Sequence, residues 1–364
     1  MKEKVVVARC ASYEKSVVEK AINKIFSVLN IQSPDKVLFK PNMLSARTPE
    51  EGVTTHPVVL EISVNLCKSP KKIIGDSPAS VNKPVELYWE KCGYKNVSQN
   101  TGVPLVKFSN SIMIELQVSG KKEKVPVTDY LKEYRIFNLP KLKTHGLTVI
   151  TAALKNLYGL IPGFHKSVLH SKFISPVEFS EFLISYYQVI KPYVFFNLID
   201  AIISMEGEGP SAGNLIHTGY LIGGRDAVAI DMICCELTGL KVEDVPYLRI
   251  YKERYGLPDI EVIGDIPLST KKFNIPGRKR NKIFSSKVLK PVLCLLAKYF
   301  KAIPVINPSV CKKCYACREV CPVKAISENL KFDRKKCINC LCCFEVCPYK
   351  AINIKKSLIA KLFT

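Results

Sequence analysis

A cysteine repeat near the C-terminal end constrains this chain more than any other feature. The run CKKCYACREVCPVKAI at 311–326 recurs as CINCLCCFEVCPYKAI at 337–352, with ten of sixteen positions identical at an offset of 26. A segment this short cannot bury an adequate apolar core unaided, so whatever the thiols hold must also hold the fold. The chain has fifteen cysteines in 364 residues, a number that would suggest a disulfide scaffold in a short secreted protein. Here the first residues run directly into the strand-like Val5–Ala8 with no apolar leader. No stretch approaches the roughly eighteen apolar residues of a membrane span. The expectation is a cytoplasmic, thiol-reducing setting, where clustered cysteines bind metal.

The spacing C-x2-C-x2-C-x3-C-P, twice, resembles that of bacterial two-cluster ferredoxins, in which the fourth cysteine of each run ligates the other cluster. That resemblance implies two 4Fe–4S clusters: Cys311, Cys314, Cys317 and Cys347 hold one, and Cys337, Cys340, Cys343 and Cys321 hold the other. Cys342 aligns with Ala316 and is the surplus thiol. Zinc ribbons use two separated C-x2-C pairs, not four cysteines in eleven residues ending in proline. The scattered Cys10, Cys67, Cys92, Cys234, Cys235 and Cys294 are expected to be small buried hydrophobes.

Residues 1–265 alternate two periodicities. Val5–Ala8, Val37–Phe39, Lys72–Gly75, Ile136–Leu139, Val194–Asp200, Tyr220–Gly223 and Val262–Gly264 read as short buried strands. Lys15–Leu29, Pro57–Cys67, Val85–Lys91, Val177–Val189, Ala227–Leu237 and Val245–Tyr255 carry helical spacing. Such alternation predicts an α/β domain, a mostly parallel sheet with helices on both faces, followed by a small α+β ferredoxin-like domain. The expected division is a ligand-binding domain at 1–265, a basic join at 266–306, the ferredoxin domain at 307–354 and a basic tail at 355–364. Long irregular stretches at 40–56, 140–175 and 205–218 interrupt the alternation, and loops of that length are more often functional than idle.

Several polar segments follow directly on predicted strands, and ligands bind at the carboxyl ends of strands in open α/β sheets. If those strands are parallel neighbours, Lys40, Asn42, Asp76, Lys141, Lys143, His145 and Asp200 converge on one rim. The runs VLFKPNML, IIGDSPA, FNLPKLKTHGLTVITAALKNLYGLIPG, KSVLH and LIDAIISMEGEGPSAG, in that order, resemble the domain-of-unknown-function family 362. The resemblance spans about residues 4–265 and implies an iron–sulfur protein of unassigned substrate, since members are often fused to ferredoxin modules.

The candidate substrate-binding residues are Lys40, Asn42, Asp76, Lys141, Lys143, Asn156, Asp200 and Glu206, with lysines acting as point-charge donors to a carboxylate or phosphate. Candidate catalytic residues are His145, His170 and Lys155, the histidines as proton donors poised near neutral pH. A metal-ligand role for a histidine shared with Asp76, Asp200 or Asp231 is an alternative, and solvated loop charge is the plain one. The glycines at 207, 209 and 213 do not form G-x-G-x-x-G, there is no phosphate-binding P-loop, and no flavin signature is present.

The chain carries 54 Lys+Arg against 32 Asp+Glu, a net charge of +22. Thirteen of the basic residues and no acidic one lie between Ile266 and Arg318. Within that stretch Lys287–Ile303 reads as a basic amphipathic helix whose apolar face packs on the protein or lies on a membrane surface. The expected partners are an external electron donor or acceptor protein, a small anionic substrate and a membrane periphery. No nucleic-acid reader motif is present. The functional expectation is an oxidoreductase passing low-potential electrons through two clusters to a small anion or cofactor in the α/β domain. The alternatives are a non-enzymatic electron carrier or cluster-handling protein, and a redox-neutral enzyme with structural clusters.

Overall fold

The computed structural model describes residues 2–78, 84–265, 272–275 and 302–356. Strand-forming runs of β-branched and aromatic residues build one large sheet. Its strands are β1 (Glu3–Arg9), β2 (Lys36–Pro41), β3 (Lys71–Gly75) and β4 (Leu105–Val106). After a separate hairpin of β5 (Ser111–Val118) and β6 (Lys121–Thr128) come β7 (Arg135–Leu139), β8 (Lys141–His145) and β9 (Val149–Thr151). The sheet closes with β10 (Val194–Glu206), β11 (Asn214–Gly224) and β12 (Ile260–Gly264). The strand order is β12-β1-β11-β10-β7-β2-β3-β4, with β8 pairing β10 and β9 pairing β8.

Only β11 runs against its neighbours β1 and β10 on the main path, so the sheet is mostly parallel. Both faces are covered, which is why the central strands are apolar nearly throughout. Leu38, Ile136 and Ile222 point into one core layer, beneath helices that include Pro176–Ile190 and Ala227–Thr238. Phe39, Phe137 and Phe196 point into the other, beneath Lys15–Val28 and Pro57–Leu66. Local signals set the helix ends. Ser175 accepts from the Glu178 amide while Glu178 reaches back to the Ser175 amide, and Pro176 fills the first turn.

Within residues 1–265 each strand and helix expected from periodicity is present. Most ends are displaced by a residue or a few, while β10 runs six residues past Asp200 and β11 begins six before Tyr220, so part of the expected irregular stretch 205–218 is strand. Two further stretches differ. Residues 111–128 form a hairpin whose turn is Ser119-Gly120, both left-handed, as its two-residue loop demands. The stretch 140–175, expected to be irregular, holds β8, β9 and the short helices Ala153–Leu157 and His165–Lys172. Here β8 pairs with the distant β10 as well as with β9, and that long-range pairing leaves no trace in local periodicity.

A second, small sheet pairs β13 (Ala302–Ile306) with β14 (Ile352–Lys356) antiparallel. Residues 302–306 thus belong to the cysteine module's own sheet instead of the join, and Ile303 is strand instead of helix. The rest of the expected Lys287–Ile303 helix and the tail beyond Lys356 lie outside the described residues. The module has its own core of Ala316, Val320, Ile326, Phe344 and Val346, packed with the cysteines. It seats on the large domain through specific polar contacts. Arg47 Nη2 donates to the Cys347 carbonyl at 2.8 Å, and Ser211 Oγ donates to that of Phe344 at 3.5 Å. No described helix is long and apolar enough to cross a membrane.

Candidate functional site

The cysteine loops repeat their backbone conformation as well as their sequence. Lys313, Tyr315 and Lys324 are left-handed in the first half, and Asn339, Leu341 and Lys350 are left-handed in the second, at the same offset of 26. Non-glycine residues enter that region at a cost of about 1 kcal/mol each, so something must hold them there. Left-handed residues within a tight loop turn backbone amides into a concavity suited to an anion.

The sulfurs surround two such concavities. Cys311, Cys314, Cys317 and Cys347 line one of about 320 Å³. Cys321, Cys337, Cys340, Cys342 and Cys343 line the other, of about 310 Å³. Among the described residues no group of three or more His, Cys, Asp or Glu closes on a single ion. Four thiols around a void suit a cube of iron and sulfide, whereas a lone zinc ion needs its donors to converge. The Ala325 amide donates to Cys321 Sγ at 3.2 Å, and the Ala351 amide to Cys347 Sγ at 3.3 Å, so the fourth cysteine of each run meets the same polar environment.

Above the module lies a cavity of about 680 Å³. The large domain contributes Lys40, Lys143, Lys155 and Lys166, together with His145 and His170; the module contributes Cys342 and Glu345. Four lysines face two carboxylates, Asp76 and Glu345. Lys40, one residue before the end of β2, is fully buried and lies 3.1 Å from Asp76 just beyond β3. Gly159 leaves room for this pair, because a Cβ there would sit 2.5 Å from both Lys40 Nζ and Asp76 Oδ1. The expected cost of Gly159→Ala is about 1–3 kcal/mol as the pair is forced apart. Thermal unfolding checks this, and an unchanged midpoint would contradict the close approach.

Lys143 donates to Asn42 Oδ1 at 2.7 Å and to the Val53 carbonyl at 2.5 Å. A chain of buried amides orients Asn42: its Nδ2 donates to Asn156, Asn156 to Asn138, and Asn138 to Asn197, each at 2.8 Å. Lys166 donates to the carbonyls of Ser77 and Ile161. The Lys155 ammonium hydrogen-bonds no described residue; it lies 4.4 Å from the Tyr158 ring centre and 5.4 Å from that of Phe179. Burial lowers all four lysines from their ordinary range, Lys143 and Lys166 to about 7 and Lys155 to about 8.

His145 Nδ1 accepts from the amides of Leu147 and Thr148, which assigns the proton to Nε2, 3.4 Å from Glu345 Oε1. Burial and then Lys155 push both His145 and His170 well below the usual histidine range, so neither is the near-neutral proton donor that its residue type suggests. His170 stacks on Phe179 at 4.4 Å, with Nδ1 buried and unpartnered among the described residues. Burial pushes Glu345 up to about 7, against the pull of Lys155 and Lys143.

Of the residues expected at the site, the cavity gathers Lys40, Asn42, Asp76, Lys143, Asn156, Lys155, His145 and His170. It does not include Lys141, Asp200 or Glu206. Lys141 and Asp200 pair at 2.9 Å, both fully buried and capped by Tyr13. Glu206 accepts from the Asn274 amide. Asp231 accepts from the amides of Ala153 and Leu154 and from Tyr247, which explains it as the anchor of a helix start. Sequence reasoning missed Lys166 and Glu345. Lys166 lies within the run KSVLH, but Glu345 carries no separate signal, because Glu319 occupies the same place in the first repeat.

Comparison with known proteins finds two kinds of match along the chain. The family model described as "Domain of unknown function (DUF362)" matches residues 37–236. The "4Fe-4S binding domain" model matches twice, at 304–327 and 330–353. A thylakoid-associated protein of Synechocystis sp., sll1697, is 27% identical over 284 residues, covering 74% of this chain and 84% of its own. The lactate racemase apoprotein of Thermoanaerobacterium thermosaccharolyticum is similar at a TM-score of 0.43 and 14% identity, over 65% of this chain and 57% of that one. The chain belongs to the domain-of-unknown-function family 362, and it carries a two-cluster 4Fe–4S domain of the electron-transfer type at its C-terminal side.

Proposed function

We propose that this iron–sulfur protein is an oxidoreductase that delivers electrons to a small anionic substrate held in the lysine cavity. One observation carries the reading: a single cavity is walled by four lysines of the large domain and by Cys342 and Glu345 of the cysteine module. The clusters supply single electrons at low potential. The chain's own residues do the rest. Lys155, whose ammonium no described residue hydrogen-bonds, and Lys143, held by Asn42, bind and orient a carboxylate or phosphate. His145, neutral with its hydrogen at Nε2 beside Glu345, hydrogen-bonds a substrate oxygen at that wall and keeps its proton. A simple electron carrier has no use for a buried cationic cavity, and that favours the enzyme reading over the carrier.

The relative's printed association with thylakoids supports a further element, a cytoplasmic protein touching a membrane only at its periphery, for which vesicle flotation is the check.

Calorimetry with inorganic phosphate and with succinate tests the cavity. Lys155→Met is expected to weaken binding by about tenfold or more, the worth of one charge-assisted hydrogen bond. Affinity should fall between about pH 6 and 9, as Lys143, Lys166 and Lys155 lose their protons. Without an anion the sign reverses for stability. These lysines bind fewer protons folded than unfolded above pH ~7, so stability rises with pH toward the ordinary lysine range. Anion binding that ignores both pH and Lys155 would refute the proposal.

A further inference from the structure

The two cysteine-lined voids differ in what lies beside them. The one bounded by Cys321, Cys337, Cys340 and Cys343 shares Cys342 with the lysine cavity. It also shares Cys340 and Leu341 with a second cavity of about 630 Å³ that adjoins the first at His145, His170 and Glu345. None of Cys311, Cys314, Cys317 or Cys347 lines either cavity. Their void is lined instead by Tyr315 and Tyr349, which are 39% and 44% exposed. Val310, next to Cys311 in the chain, is 39% exposed. Exposed lysines adjoin these side chains in sequence: Lys312, Lys313 and Lys350.

The module that carries this face is basic by composition. Residues 302–356 hold eleven Lys or Arg against four Asp or Glu. One of the four, Glu345, is turned into the cavity, and Glu328 and Asp333 pair with Arg318 and Lys336. Two exposed tyrosines with basic neighbours have the make-up of a protein interface, with aromatic anchors for contact and charge for steering.

Building on the oxidoreductase reading, we propose that the Tyr315–Tyr349 face docks an acidic one-electron carrier protein, so that electrons enter beside Cys311, Cys314, Cys317 and Cys347 and leave beside Cys342. Each encounter moves one electron: the carrier is oxidised by one and the module reduced by one, with no bond made or broken and no proton required. The exposed face then serves transient encounters, while the buried face keeps the second void against the substrate cavity.

The test uses the full chain, purified anaerobically, with a reduced acidic two-iron ferredoxin as the probe. Stopped-flow absorbance follows cluster reduction, and calorimetry with the oxidised ferredoxin follows binding. For the wild type, both rate and affinity should fall steeply between about 0.01 M and 1 M salt. The triple variant Lys312→Glu, Lys313→Glu, Lys350→Glu should lose at least about tenfold in both at low salt, the scale of electrostatic steering. Its iron content and its reduction by dithionite should stay at wild-type values. Tyr349→Ala, which leaves the charge alone, should weaken binding at every salt concentration. Wild-type rates and affinity in the triple variant would overturn the proposal. So would selective loss of binding to anionic lipid vesicles, which would make this face a membrane surface. Phosphate calorimetry on the same protein reads the anion cavity by itself, so failure of the docking face and failure of that cavity are distinguishable.

Discussion

Replacing Cys321 with serine is expected to halve the iron and sulfide bound by the chain, while Cys342→Ser leaves both whole. Cys321 lies in the first repeat but lines the void of Cys337, Cys340 and Cys343 in the second, as the crossed ligand pattern requires. Cys342 lines that void too, yet its counterpart in the other half is Ala316, so the paired architecture works without a thiol there. The consequences of Cys321→Ser should extend beyond metal content. Left-handed residues such as Asn339 and Leu341 stay in place only while the loop is held around its contents. Released, they relax, and the helix Cys342–Val346 that carries Glu345 loses its footing. Anaerobic iron and sulfide analysis with electron paramagnetic resonance reads both variants. Loss of about four irons in Cys342→Ser would show that the ligand register is wrong.

Asp200→Ala is expected to destabilise the large domain by about 3–5 kcal/mol, the usual cost of stranding one member of a buried ion pair. Asp200 is fully buried and accepts from Lys141 at 2.9 Å, from the Tyr13 hydroxyl at 2.9 Å and from the His56 amide at 3.0 Å. Removing the carboxylate leaves the Lys141 ammonium in the interior with a tyrosine oxygen for company. Lys141 then sheds its proton or draws water in, and either costs stability. Adding Lys141→Met should restore part of the loss, because an apolar side chain needs no counter-ion. Urea unfolding of the cluster-loaded protein, followed by aromatic circular dichroism, measures both. A cost below about 1 kcal/mol for Asp200→Ala would mean that water reaches the pair. Anion binding at the lysine cavity should survive in the double variant, since neither residue lines it.

Sequence alone determined the cysteine module and its two clusters, because ligand spacing within a short loop is a local property that no distant contact can alter. It also determined the alternation of strands and helices, since a period of two or of 3.6 residues records which faces are buried. From strand ends it further selected most of the residues that meet in the cavity. Tertiary structure decided which of them meet there. Lys141 and Lys143 are two residues apart on β8, yet one is consumed by Asp200 while the other reaches Asn42 and the cavity. That choice depends on β8 pairing with β10 and on the position of Tyr13, 128 residues away. Glu345 has a twin in Glu319, and the repeat makes them equivalent in sequence. Only docking distinguishes them, by setting Glu345 against His145 in a cavity crowded with lysines, where burial changes what a carboxylate and an ammonium can do. Spacing is local and survives in the chain, whereas burial and charge environment arise between segments far apart in it, and those set the chemistry of this site.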